Sequence, residues 1–380
     1  MPYIKDYLQW RGDLDFDKSP INDVDALILS MIPLLDLDGL PSINKKTSLH
    51  DLMNEYLDPV NNKPIHLGLI IGDDIAKTII SLKDFPRFQN LIISDYFNEI
   101  DKEKAMQCCG CIVKINDDLR MVCCSGTDDT VIGWKENLIM IHEPITNGEV
   151  RMKEFIEFAI KKYGGKFIVA GHSKGGILAE IGAATLSDKD YLHIEKVLAY
   201  DSPGLPNQSY FSEKILDRIR NMTLYIPDSS IVGRTFEHIE KPIILKSTNN
   251  GLYQHDPFSW KVLGTNFVTV SKCTKISDDV KELVDDAVNK MTNEEKYKFV
   301  DLVMSLFDNN NVTRLLEVEG NKKAIAKTYS KFSKQDKKFL SNIFFQMEHS
   351  SSFRKTIYYL IIDSNKEKKK SKTNAKNPDE

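Results

Sequence analysis

The chain has 380 residues, carries 51 Lys and Arg against 55 Asp and Glu, and has a net charge of -4. That length admits one large α/β domain with an appendage, or two domains. The near balance of charge excludes a whole-chain affinity for nucleic acid or anionic membrane, and it does not ask for a polyanionic substrate.

The first twenty residues, MPYIKDYLQWRGDLDFDKSP, are charged and aromatic where a signal peptide has an apolar stretch. No uninterrupted apolar run approaches membrane-spanning length. The expectation is a soluble cytoplasmic protein without a transmembrane segment. Residues 20–37, with Val24, Leu27, Ile28, Ile32 and Leu35 behind a Ser19-Pro20 start, read as a buried helix. His66 to Gly72, HLGLIIG, is too short to assign as strand or interior helix.

Residues 106–125, QCCGCIVKINDDLRMVCC and its flanks, read as two strands around an Asn116-Asp117-Asp118 turn. Cys108, Cys109, Cys111, Cys123 and Cys124 crowd this hairpin, with Cys273 alone elsewhere. Adjacent strand residues face opposite ways, so the five thiols cannot share one face. They are expected as small buried hydrophobes, with no metal site and no cofactor.

A helix near 150–163, a strand at 166–171, a helix after it, and a strand at 196–202 follow. A helix at 209–220 and strands at 221–226 and 241–247 complete the run. Strands alternating with helices predict an α/β fold, a mostly parallel sheet with helices on both faces and active loops at the strands' carboxyl ends. The pattern places this domain at 1–275. Helices alone follow over 276–363, where Thr292 with Glu295 and Ser333 with Asp336 read as capping boxes. Phe299, Val303, Leu306, Phe339, Ile343 and Phe344 are expected to cover the sheet or each other, and no protein partner is specified. Residues 364–380 are expected to be a disordered polar tail.

The stretch Phe167 to Leu186, FIVAGHSKGGILAEIGAATL, carries the chemistry. An apolar strand breaks at Gly171-His172-Ser173-Lys174-Gly175 and resumes as a small-residue helix, the pattern of a nucleophile elbow. Ser173 is the candidate nucleophile, and the Lys174 N–H at the helix start is an oxyanion donor. Ser125-Gly126-Thr127 ends an earlier strand, so Thr127 is the second oxyanion donor. His255 in LYQHDPFSW follows the last strand and is the candidate base. His238 is the runner-up, while His172 is expected to point away from the turn. The acid is open between Asp228 in YIPDSSIVG, placed first, and Asp201 in AYDSPG, with Asp256 third; Asp-Ser-Pro-Gly and Pro-Asp-Ser-Ser are also good turn sequences.

The run Met121 to Leu138, MVCCSGTDDTVIGWKENL, resembles the class 3 (fungal-type) lipases, in which a strand ends in an Arg-Gly-Ser/Thr oxyanion turn. Thr127 matches the oxyanion residue and Ser125 replaces the arginine. The order SGTD, GHSKGG, DSPG, PDSSIVG and QHDPFSW, with WRGDLDFDKSPINDVDALILS before it, looks closer still to an uncharacterised bacterial family of lipase-like α/β-hydrolases, over about residues 3–265. The resemblance implies a serine hydrolase cleaving small-molecule or lipid carboxylic esters, with Ser173 as nucleophile and His255 as base. It puts the class 3 acid at the position of Ser230, two residues beyond Asp228. Lys174 stands where those lipases carry an apolar residue, its charge either favouring an anionic acyl group or reaching solvent. A thioesterase, amidase or acyltransferase on the same groups, or an inactive scaffold, is the alternative.

Overall fold

The computed structural model describes residues 3–65, 73–308, 310, 312–314 and 317–349, with backbone alone at 73, 252, 319 and 344–349. The 66–72 segment and the 364–380 tail of the sequence reading lie outside the described residues.

An eight-stranded sheet runs in chain order: β1 (Thr47–Ser48), β2 (Ile92–Asp101), β3 (Met106–Lys114), β4 (Leu119–Cys124), β5 (Lys166–His172), β6 (Ile194–Tyr200), β7 (Thr223–Pro227) and β8 (Ile243–Leu245). Pairings from β4 to β8 are parallel, and those from β1 to β4 are antiparallel. The change of sense has a local cause. The β3–β4 connection is a tight turn in which Asn116 Oδ1 accepts from the Asp118 and Leu119 N–H groups, whereas each later connection carries helix or loop.

The helices are α1 (Ile4–Arg11), α2 (Asp23–Ser30), α3 (Leu49–Leu57), α4 (Asp73–Ser81), α5 (Val131–Ile139), α6 (Asn147–Tyr163), α7 (Lys174–Ala184), α8 (Asp188–Tyr191) and α9 (Glu213–Arg220). Beyond β8 come α10 (Lys275–Asn289), α11 (Asn293–Asp308), α12 (Val318–Lys331) and α13 (Lys334–His349). One core layer packs α2 with Leu27 and Ile28 against Met121, Ile168 and Leu198 of the sheet. The other packs Phe155 and Ile156 of α6 and Ile177 and Leu178 of α7 against Val122, Phe167 and Val169. Helices on both faces let β5 be apolar on both sides, so its run FIVA reads as continuous rather than alternating.

The cysteines divide between the layers as strand alternation requires. Cys108 and Cys124 enter one core, and Cys109, Cys111 and Cys123 enter the other. All are buried free thiols.

The sequence reading does not contain α1, β1, α3, α4 or α5, and it differs from the structure at two further elements for local reasons. The helix read over 20–37 is α2 and begins later, at an Asn22 cap that accepts from the Val24 and Asp25 N–H groups, and Pro33 turns its end into a single 3-10 turn, Ile32–Leu34. Strand β2 was not foreseen. Its sequence IISDYFNEID falls out of two-residue phase because the register shifts between Ser94 and Phe97, with Asp95 at φ +53°.

The N-terminal layer is fastened by Arg87, which is buried and bonds both Asp25 carboxylate oxygens at 2.9 and 2.6 Å. The capping box predicted at Thr292 forms, and at Ser333 the side-chain cap forms without the reciprocal backbone bond. Thr292 and Glu295 exchange bonds of 2.9 and 3.2 Å, and Ser333 accepts from the Asp336 N–H at 3.0 Å. Val300 and Met304 of α11 pack on Val131 of α5 and on Ile141, so the helical segment covers that part of the domain. No helix among the described residues is long and apolar enough to cross a membrane.

Candidate functional site

Ser173 occupies the turn between β5 and α7 with φ +58° and ψ -131°. For a residue with a β-carbon that backbone costs roughly 1–3 kcal/mol and persists only where its surroundings enforce it. They do so here by close approach. A methyl group on Gly171 would lie 2.1 Å from the Gly175 carbonyl oxygen, and one on Gly175 would lie 2.2 Å from that of Cys124. The Ser173 N–H donates to the Tyr200 carbonyl of β6 at 2.9 Å, continuing the ladder up to the bend. Lys174 follows as the first residue of α7, where backbone N–H groups have no partner within the helix.

The Ser125–Thr127 turn at the end of β4 lies against this bend, since a methyl on Gly126 would meet Ser173 Cβ at 3.4 Å. Thr127 is held by α5, whose Asn137 Nδ2 donates to Thr127 Oγ1 at 2.9 Å.

His255 closes a 3-10 turn, Gly251–His255, and its Nδ1 lies 2.7 Å from Asp201 Oδ2. Their side chains are 10% and 0% exposed, so water screens this contact little. Asp201 follows β6 at φ +46° and spends its other oxygen on the Gly233 N–H at 3.1 Å and on the Ser230 hydroxyl. Asp228 is elsewhere: its carboxylate takes Lys246 Nζ at 2.7 Å and Gln254 Nε2 at 2.9 Å. Asp256 caps its own turn through the Phe258 N–H at 2.9 Å. His238 bonds Glu240 and the Gly233 carbonyl at 2.9 and 3.0 Å. Of the three aspartates weighed from sequence, the structure thus brings Asp201 to the imidazole and not Asp228 or Asp256.

His172 corrects the sequence reading. It does not turn away; its ring lies 4.4 Å from that of His255 and lines the same cavity. Burial, with the neighbouring His255 adding to it, holds its pKa well below the usual imidazole value, so it stacks as a neutral ring. Among the described residues its Nε2 has no hydrogen-bond partner.

Lys174 corrects it also. Its ammonium does not reach solvent but is buried on the Gln107 carbonyl at 2.6 Å and Glu136 Oε2 at 2.9 Å. Glu136 in turn accepts from the Gln107 and Gly148 N–H groups at 3.0 and 2.7 Å, so one ion pair joins α7, α5, β3 and the start of α6. The pair was invisible in sequence because Glu136 and Lys174 lie far apart in the chain.

Beside this pair, burial pushes the Glu149 carboxyl up to about 8 from an ordinary 4.5, and the Glu136 charge adds to the shift. The folded chain therefore holds a proton that the unfolded chain releases near 4.5, and stability falls as pH rises from there to about 8. Glu149→Gln keeps the acceptor for the Thr146 N–H at the helix cap and has no charge to bury. Urea midpoints at pH 5 and pH 8 should show the variant more stable, by about 2–4 kcal/mol, at the higher pH only. Equal pH dependence in both proteins would show that Glu149 is ionised in the fold.

Ser173, His255, His172, Thr127 and Lys174 share a cavity of about 470 Å³. Apart from Asn137 and Thr235 its remaining wall is apolar, including Trp134, Leu138, Met140, Ile231 and Phe236.

The sheet, its two helical layers and the strand-end loops that meet at this cavity define an α/β-hydrolase fold with C-terminal helices. The chain belongs to the Mbeg1-like family, whose profile matches residues 82–307. None of the curated proteins searched matches it. Among solved structures it is similar to the M37 lipase, with 15% identity over 56% of this chain and 69% of that one and a TM-score of 0.36. A structure described as fungal lipases matches at 14% identity over 60% and 85% of the two chains, TM-score 0.35. The Lip2 lipase of Yarrowia lipolytica matches at 14% over 55% and 77%, TM-score 0.32.

Proposed function

We propose that this chain is a serine hydrolase that cleaves carboxylic esters through an acyl-enzyme on Ser173. The observation that carries the reading is the buried Asp201–His255 pair opening into the cavity that Ser173 lines, with Ser173 itself in strained backbone at a helix start. With Asp201 on Nδ1, the imidazole is held in the tautomer whose Nε2 accepts a proton.

Ser173 Oγ attacks the ester carbonyl as its proton passes to His255 Nε2. Asp201 stabilises the resulting imidazolium, and the Lys174 and Thr127 N–H groups hold the tetrahedral oxyanion. Collapse breaks the bond to the alcohol oxygen, which leaves with the imidazolium proton. Water, deprotonated by His255, then adds to the acyl-enzyme, and collapse breaks the bond to Ser173 Oγ, which takes the proton back from His255 as the acid leaves. The substrate is neutral and carries an apolar chain. The wall is otherwise apolar, the Lys174 ammonium is neutralised by Glu136, and Asn137 and Thr235 are bonded to Thr127 and to the Val232 carbonyl.

A fluorophosphonate probe tests this. It should form one adduct, found by peptide mass spectrometry on Ser173, and heat-unfolded protein should form none. A folded protein that takes no label, or takes it on another serine, ends the proposal.

A further inference from the structure

Helix α10 stands in the segment read from sequence as an appendage, yet two of its residues, Val284 and Val288, line the cavity together with Ser173 and His255. They are four apart and so lie on one helical face. Val280, one turn earlier on that face, and Leu283 beside it are buried and anchor the helix. Resting on the ester-hydrolase reading, we propose that α10 is the wall that sets how long an apolar chain the site accepts, with Val284 and Val288 as its specificity-determining residues.

The helix is built into the site. The Thr274 N–H at its cap donates to the Asp228 carbonyl at 2.7 Å, and Ser277 Oγ donates to the Ser230 carbonyl at 2.7 Å. Arg234 bonds Asp278 at 2.8 Å, and Lys281 bonds Glu237 at 2.8 Å. All four contacts fall on segment 228–237, which also supplies the cavity residues Ile231, Val232 and Phe236 and the Gly233 N–H on Asp201. Phe236 sits at φ +64°, an outlier for a bulky residue, and its carbonyl accepts from Lys281. The α10 face is thereby fixed relative to the carboxylate that bonds His255, and a side chain projecting from it has a set distance to the ester. The valines offer only methyl groups, so they discriminate by volume and not by polarity.

The test uses the full chain and the variants Val284→Phe, Val288→Phe, Val284→Ala and Val288→Ala. Each is assayed on nitrophenyl esters of graded acyl length and on acetates of graded alcohol length, with fluorophosphonate labelling of Ser173 in parallel. The phenylalanine variants should lose about tenfold or more in kcat/KM on the longer members of one series and stay within about threefold on the shortest ester. The alanine variants should move the optimum to longer chains and carry the test where phenylalanine disrupts folding. The series that responds identifies the acyl or the alcohol side as the one against α10. Unchanged length profiles in both series with labelling intact overturn this inference alone. Absence of labelling in the unsubstituted chain overturns the hydrolase reading and the inference with it.

Discussion

Ser173→Ala is expected to lower kcat on a short nitrophenyl ester by about a million-fold, leaving only what the oxyanion donors and binding supply. The size follows from the mechanism, because without the hydroxyl there is no acyl-enzyme and no proton for His255 to take. Stability should change by less than about 1 kcal/mol, since alanine carries the same β-carbon into φ +58° and the turn is held by Gly171, Gly175 and the bond to Tyr200. Steady-state kinetics, probe labelling and a thermal melt measure the three quantities. Residual activity within tenfold of the unsubstituted chain would place the nucleophile elsewhere.

Asp201→Asn should lower kcat by about 10⁴-fold, and Asp228→Asn by no more than a few-fold. The asparagine Oδ1 can still accept from Gly233 and Ser230, so the loop stays formed. Its amide N–H, however, donates to His255 Nδ1, which forces the ring proton onto Nε2 and leaves nothing to accept the serine proton. Asp228 bonds a half-exposed Lys246 and Gln254, so its replacement touches stability by about 1 kcal/mol rather than catalysis. Paired kcat and urea-unfolding measurements separate the two roles. Equal losses of kcat in the two variants would contradict the assignment of Asp201.

The acid was hard to read for a reason visible at Ser230. The resemblance to class 3 lipases puts a carboxylate at that position, on the loop after β7. In the fold, the Ser230 hydroxyl donates to Asp201, whose carboxylate arrives from the end of the neighbouring strand β6. Parallel strands in register bring the two loop starts side by side, so either can present the acid. Asp-Ser-Pro-Gly gave no sign of which, because the same residues make an ordinary turn. His172 and Lys174 were misplaced for a related reason. The His172 ring packs on His255 and Trp260 beyond β8, and the Lys174 ammonium on β3 and α5, none of which is adjacent in sequence.

What the amino-acid order determined by itself is short-range: the β5–turn–α7 unit with its two obligatory glycines, the division of the cysteines between two faces, and the caps of the C-terminal helices. These follow from backbone sterics and from periods of two and of three to four residues, which need no knowledge of distant chain. Only the tertiary structure decided which carboxylate meets His255, where the Lys174 charge is neutralised, and that α10 walls the cavity. Each of these is a contact between segments tens to more than a hundred residues apart. Their proximity is set by strand register and layer packing, quantities that no local window of sequence contains.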